Sequence, residues 1–256
     1  MIDSRAVIDP SAQIADDVEI GPFTIIGPDV VIEEGTKISS HVVVKGPTHI
    51  GKFNRIFQFC SIGEDCQDKK FAGEPTRLEI GDHNIFREAC TVHRGTVQDN
   101  SLTKIGSHNL FMVNVHIAHD VMVADHCIFA NDTNIAGHVH IGDYAILGGA
   151  SQVHQFVKIG DHSMCGTGSI VLKDVPAYVM ANGNSAKPHG INVEGLKRRG
   201  FSKDDIRNLR KAYKFIYRQG LTIDEALLEL KPLADETHSV KTLIDSLNSS
   251  TRGIIR

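Results

Sequence analysis

Taken in steps of six from Ile14, the chain places a β-branched aliphatic at Ile14, Ile20, Ile26, Ile32, Ile38, Val44, Ile50, Ile56 and Ile62. The frame returns at Ile80, Phe86 and Val92, shifts by one residue, and runs on through Ile105, Phe111, Ile117, Val123, Phe129, Ile135, Ile141, Leu147, Val153, Ile159, Cys165 and Val171. Gly often follows the apolar position, as at Gly21, Gly51, Gly81, Gly106, Gly142 and Gly160. A β-sandwich, with irregular loops between its strands, does not hold one frame over so many steps. A hexapeptide period predicts a parallel β-helix, in which three hexads close one coil and each hexad is a short strand with a turn. Such a strand cannot bury its inward side chain alone, so coils stack at about 4.8 Å and the aliphatics form columns inside a narrow prism. Residues 18 apart then lie above one another. A narrow interior is expected to exclude large rings, and Gly and small polar residues at the corners are expected to supply the positive φ of the turns.

Two breaks interrupt the frame. The segment 64–77, from Glu64 through Lys69-Lys70 to Arg77, and the segment 95–103 are too polar for inward positions, and they read as loops ejected from the coil. Loops on a rigid scaffold commonly carry binding and catalysis. The hexads stop near Pro176, and helical signals follow a connector with Gly183, Pro188 and Gly190. Ser202 to Asp205 resembles a capping box opening a helix that runs to Gln219 before Gly220; Thr222 with Glu225 opens a second through about Leu230, and Val240 to Leu247 indicates a third. The expected organisation is an all-β parallel β-helix over residues 1–190 and a small α-helical C-terminal domain over 191–256.

Composition sharpens this picture at three points. Trp is absent, aromatics are 6% and Gly numbers 23, as a narrow coil requires. Five cysteines, an odd set without a Cys-x-x-Cys pair, argue against a disulfide framework or a sulfur-ligated zinc ribbon and fit reduced thiols. The formal charge of −4 excludes a global basic field for nucleic acid. Lys197, Arg198, Arg199, Arg207, Arg210, Lys211, Lys214 and Arg218 nevertheless make the helical part locally basic, which is either a solvated face or a docking surface for an acidic partner. No apolar stretch reaches membrane-spanning length and no signal segment opens the chain, so a cytoplasmic location is expected.

The candidate chemistry lies in the 14 histidines. The 18-residue rule puts Asn134 and Gln152 above His116, Gly137 and Gln155 above His119, and His138 above Asp120. His116, His119, His138 and His154 thus share one edge with Asp120 and Gln155, whereas His41, His49, His83, His108, His126 and His162 read as scattered surface or corner residues. Two chemistries suit such an edge. One His could act as general base on a hydroxyl, with Asp120 orienting the ring of His119 and the Gly137 N–H holding an oxyanion. Alternatively three neutral imidazoles could bind zinc with an open position for water, as in a trimeric β-helix enzyme of the carbonic anhydrase type.

The hexads, Gly73-Glu74-Pro75-Thr76-Arg77, His93-Arg94-Gly95-Thr96, His116-Ile117-Ala118-His119-Asp120, Ala136-Gly137-His138, Val153-His154-Gln155-Phe156 and the run Asn192 to Phe201 together closely resemble the UDP-N-acetylglucosamine acyltransferases of lipid A biosynthesis. The likeness extends over essentially the whole chain, to Ser250-Thr251-Arg252-Gly253. It implies a left-handed coil and a cytoplasmic homotrimer that moves an (R)-3-hydroxyacyl chain from acyl carrier protein to the 3-hydroxyl of UDP-N-acetylglucosamine, without metal or cofactor. It implies that His119 is the general base, that the Gly137 N–H is the oxyanion donor and that Gln67, Asp68 and Lys70 contact the nucleotide sugar. By the same likeness His116, His138, His154, Gln155, Asn192, Glu194, Arg198 and Arg199 line the donor and nucleotide sites. Thr167 falls where the family has its acyl-chain ruler, so a chain of intermediate or shorter length is expected. The family's site lies between adjacent subunits, so the first loop and the histidines are expected to come from different chains. The basic helices gain a partner, since acyl carrier protein is strongly acidic.

Overall fold

The computed structural model describes residues 1–256. Three sheets form the sides of a prism and, apart from the last strand of the third, each strand pairs in parallel with the one a full coil away. The first sheet has nine strands, from Val7–Ile8 to Ile170–Val171; the second has eight, from Gln13–Ile14 to Lys158–Ile159. The third has ten and begins at Glu19–Ile20. Most strands are two residues long, one facing in and one facing out, and this is why the period is six. The inward column of the second sheet reads Ile14, Ile32, Ile50, Ile80, Ile105, Val123, Ile141, Ile159, in unbroken register across both insertions. This is a parallel β-helix, closed by helices at its C-terminal end.

The two loops are slightly shorter than the sequence indicates. Glu64 and Arg77 are the last and first residues of strands Ser61–Glu64 and Arg77–Ile80, and Leu102 and Thr103 belong to strand Leu102–Ile105, paired with Arg77 and Leu78. Backbone pairing outweighs the polarity of these residues.

The interior also differs from expectation. It admits large rings: Phe86, Phe111 and Phe129 are fully buried and stack at centroid distances of 4.6 and 4.8 Å. Of the glycines after the apolar positions, only Gly63 has positive φ. A β-carbon on Gly81 would lie 2.7 Å from the Gly106 carbonyl oxygen, and one on Gly160 would lie 2.4 Å from the Ala177 nitrogen, so these positions are small because the next coil passes close by. The left-handed corner residues are instead mostly His, Asn, Asp and aromatic side chains, among them His83, His108, Asp120, His126, His138 and Tyr144, with Ala89 and Ala150 the exceptions. Asn and Asp tolerate that region, and here the rings add stacking.

After the last coil, Val179–Asn182 and Lys187–Ile191 make an antiparallel hairpin on the third sheet. Four helices follow: α1 (Val193–Arg198), α2 (Lys203–Tyr217), α3 (Ile223–Glu236) and α4 (His238–Asn248). Ser202 with Asp205 and Thr222 with Glu225 both form reciprocal capping boxes. The helices are bonded to the end of the coil through Ser250 Oγ to Asp174 and Ser246 Oγ, which accepts from Ala177 N–H. No helix is long and apolar enough to cross a membrane.

Candidate active site

His119 and Asp120 sit at the corner between the first and second sheets, immediately after strand His116–Ile117. Asp120 holds the left-handed corner position at φ 59°, and its side chain is fully buried beneath the second loop. There Oδ2 accepts from His119 Nδ1 at 2.8 Å and from Thr96 Oγ1 at 2.6 Å, while Oδ1 accepts from the Thr96 N–H at 2.9 Å. Burial alone pushes this carboxyl up, but the bonds from His119 and Thr96 outweigh it and hold it below the usual carboxylate range, so Asp120 is an anion. With Nδ1 committed, Nε2 of His119 has no hydrogen-bond partner in the chain.

One coil on, Gly137 lies against that ring. A β-carbon there would stand 2.5 Å from Cε1 and 2.6 Å from Nε2, and only a glycine lets the backbone approach so closely. The Gly137 N–H donates to no acceptor within the chain. A cleft of about 380 Å³ opens over this pair, with Gln67 and Asp68 from the first loop on one side and His116, Asn134, Gln152 and Gln155 from stacked coils on the other. His116 receives or gives a 2.8 Å bond with Thr91 Oγ1, and burial, reinforced by His93 and His119, brings it down to about 4. It is therefore neutral at physiological pH.

The 18-residue map is observed: His116 pairs with Asn134 and Asn134 with Gln152, and the His138 N–H donates to the His119 carbonyl. The remaining candidates are placed unequally. His138 bonds Asp99 at 2.8 Å and stacks on Phe156, while exposed His154 turns Nδ1 to the Gln155 carbonyl. Lys70 is exposed near the loop tip, its N–H on the Asp68 carboxylate. Gln67 and Asp68 face His119 within one chain, which corrects the expectation that loop and histidines come from different subunits: Arg94 pairs with Asp65 and the Gly63 carbonyl and so ties the loop to its own coil. Asn192, Glu194, Arg198 and Arg199 are not brought to this cleft. Asn192 caps α1 and donates to the His162 carbonyl, Arg199 donates to the Tyr144 carbonyl, and both therefore belong to the corner between the second and third sheets. Glu194 pairs with Lys197. Thr167 is exposed at the third corner, between Gly166 and Gly168, so it and His119 flank the first sheet from opposite edges rather than sharing one.

The zinc alternative has less to work with than sequence spacing allowed. Ligand atoms of His119, Asp120 and His138 lie within 4.8 Å of one another, but the set is two imidazoles and a carboxylate, and all three already bond to one another, to Thr96 or to Asp99. The side chains that sequence reasoning missed are Thr96 and Asp99; the first lies in the run His93 to Thr96, but nothing in its spacing announces a bond to Asp120. Of the histidines read as surface or corner residues, His41, His83, His108, His126 and His162 do occupy corners, but they are not all scattered: His83, His108, His126 and His162 stack with Phe53, Tyr144 and Tyr178 in one continuous column.

Residues 11–46 match the family model described as bacterial transferase hexapeptide (six repeats), and residues 174–255 match that of UDP-N-acetylglucosamine O-acyltransferase, domain 2. An acyl-[acyl-carrier-protein]--UDP-N-acetylglucosamine O-acyltransferase from Psychrobacter sp. strain PRwf-1 is 62% identical over 256 residues, covering 100% of this chain and 99% of the relative. One from Saccharophagus degradans is 58% identical over 255 residues with the same coverage. The chain belongs to the UDP-N-acetylglucosamine O-acyltransferase family. The crystal structure of that acyltransferase from Moraxella catarrhalis superposes with a TM-score of 0.98 at 55% identity, over 100% of this chain and 99% of the other. Membership in an acyltransferase family leaves the carbonic anhydrase alternative without support.

Proposed function

We propose that this chain transfers an (R)-3-hydroxyacyl group from acyl carrier protein to the glucosamine 3-hydroxyl of UDP-N-acetylglucosamine, the first step of lipid A biosynthesis. The observation that carries the reading is the His119–Asp120 pair facing Gly137 in one cleft, in a chain 62% identical to an acyltransferase over its whole length. His119 Nε2 takes the proton of the 3-hydroxyl as its oxygen attacks the thioester carbonyl, and Asp120 stabilises the imidazolium that forms. The Gly137 N–H stabilises the oxyanion. Collapse breaks the carbon–sulfur bond, and the imidazolium returns its proton to the departing thiolate. The reaction asks for a base and an oxyanion donor, and no cofactor enters the scheme.

In this reading Gln67, Asp68 and Lys70 hold the nucleotide sugar, with His116, His138, His154 and Gln155 around the reacting groups. Asn192, Glu194, Arg198 and Arg199 act in the cleft of a neighbouring subunit of a homotrimer; their distance from His119 in the chain supports this. On α2 and its C-cap, Arg210, Lys211, Lys214 and Arg218 are exposed and have no carboxylate partner, a surface suited to acidic acyl carrier protein. Five free, buried cysteines suit a cytoplasmic enzyme.

Turnover of UDP-N-acetylglucosamine with 3-hydroxyacyl carrier proteins of graded length tests the scheme. Wild type should form the 3-O-acyl sugar nucleotide, and His119→Ala should lose roughly 100- to 10,000-fold in rate. Absence of product removes the functional reading, and full rate in the variant removes the base. Preference for the longest donor removes Thr167 from the ruler role.

A further inference from the structure

Asp120 has two imidazoles competing for it. His119 Nδ1 lies 2.8 Å from Oδ2, and His138 Nδ1 lies 3.8 Å from the same atom. A base is oriented only if that contest has one winner, and the second ejected loop decides it. Asp99, near the tip of this loop, takes His138 Nδ1 at 2.8 Å. Thr96, at its base and almost wholly buried, donates both its hydroxyl and its N–H to Asp120, and its carbonyl accepts from the Asp99 and Ser101 N–H groups at 3.2 and 3.0 Å. One residue thus fixes the carboxylate and shapes the turn that carries Asp99. From the coil below, Thr103 Oγ1 accepts the Asp120 N–H at 2.8 Å.

We infer that Thr96 and Asp99 are positioning residues for the reaction: Thr96 locks the Asp120 carboxylate toward His119, and Asp99 draws off His138 so that it does not compete. The inference rests on the acyltransferase reading given above. Neither side chain need touch substrate; each acts through a bond to a residue that orients the base. The other titratable groups around the pair are His93 and His116 on the adjoining coils, His140 near Asp99 and His138, Asp68 and Cys66 on the first loop, and Arg94 with Glu64 at the loop bases. None of them bonds Asp120, so the loop is the source of its orientation.

Thr96→Val keeps the volume and the N–H bond while removing the hydroxyl. It should lower kcat by about 10- to 100-fold with KM for the sugar nucleotide changed less than about threefold, the scale expected for a catalytic group moved out of line. Thr96→Ser should restore the rate to within a few fold. Asp99→Ala, at a solvent-facing loop, should lower kcat by about tenfold with KM little changed, because His138 then competes for the Asp120 carboxylate. Asp99→Asn, whose amide oxygen can still accept from His138 Nδ1, should restore the rate to within a few fold. Thermal unfolding of each variant separates misfolding from mispositioning, and Thr96→Ser and Asp99→Ala report even if Thr96→Val does not fold. Wild-type kcat in either Thr96→Val or Asp99→Ala overturns the inference. If wild type itself makes no acylated sugar nucleotide, it is the functional reading that falls.

Discussion

A β-carbon on Gly137 would enter the space of the His119 ring, so this position tests the site at the scale of one atom. Gly137→Ala should leave the coil assembled, since the collision is with a side chain, and should lower turnover by about 100-fold by displacing the ring. A variant with normal unfolding temperature and undiminished kcat would remove Gly137 from the site. At this scale the sequence was informative wherever a residue's neighbour is one coil away, because the 18-residue step is a distance rule: His119, Asp120, Gly137 and Gln155 were found by it. It fails for Thr96 and Asp99, which reach Asp120 and His138 from a loop whose path the columns do not determine. It also fails for Arg199 and Asn192, which lie outside the repeating frame although their partners, the Tyr144 and His162 carbonyls, lie within it.

Each two-residue strand contributes one inward side chain and one backbone ladder step, and neither alone stabilises a turn of the chain; the coil above and the coil below supply the rest. The glycine after an apolar position belongs to this stacking. In Gly81→Ala the new methyl meets backbone atoms of the next coil, the Gly106 carbonyl oxygen at 2.7 Å and its carbon at 2.9 Å, which cannot swing aside as a side chain can. The cost should be about 1–3 kcal/mol, read as a lower unfolding temperature with little change in KM. An unfolding temperature equal to wild type would mean that the coils slide to make room. Helices α2 and α3 were legible from their capping boxes, whereas six-residue α1 has too few turns to show a period, and its cap, Asn192, reads in sequence as one more loop polar residue.

Across the molecule, several imidazoles are kept from taking a proton. Burial brings His116 and His162 down to about 4, with His93 or Arg199 adding to the effect, and burial also lowers His93 and His140. The unfolded chain protonates these side chains near pH 6.5. Between about 6.5 and 4 the unfolded state therefore binds more protons than the native one, and stability falls as pH falls through that window. Above it these groups add no pH dependence, and the lowered Asp120 acts only below the usual carboxylate range. Unfolding temperature should decline from pH 7 to pH 4.5, and His162→Asn should flatten the decline; a flat wild-type profile would show that burial of these rings is relieved in solution. The global architecture was legible because the six-residue period acts everywhere at once, and the column of stacked histidines was not, because outward residues have no apolar signature.

The unbroken column from Ile50 to Ile80 to Ile105 has a consequence for how such chains can change length. Register is written in the columns, so a corner may lengthen by any number of residues at only the modest entropic cost of a longer loop, while the coils on either side keep their neighbours. A single residue lost inside a strand has no such freedom, because it turns an inward side chain outward. Insertions and deletions among relatives should therefore collect at the corners, leaving the spacing of the hexads between them untouched, and a new binding surface can be added to this scaffold without redesigning its interior.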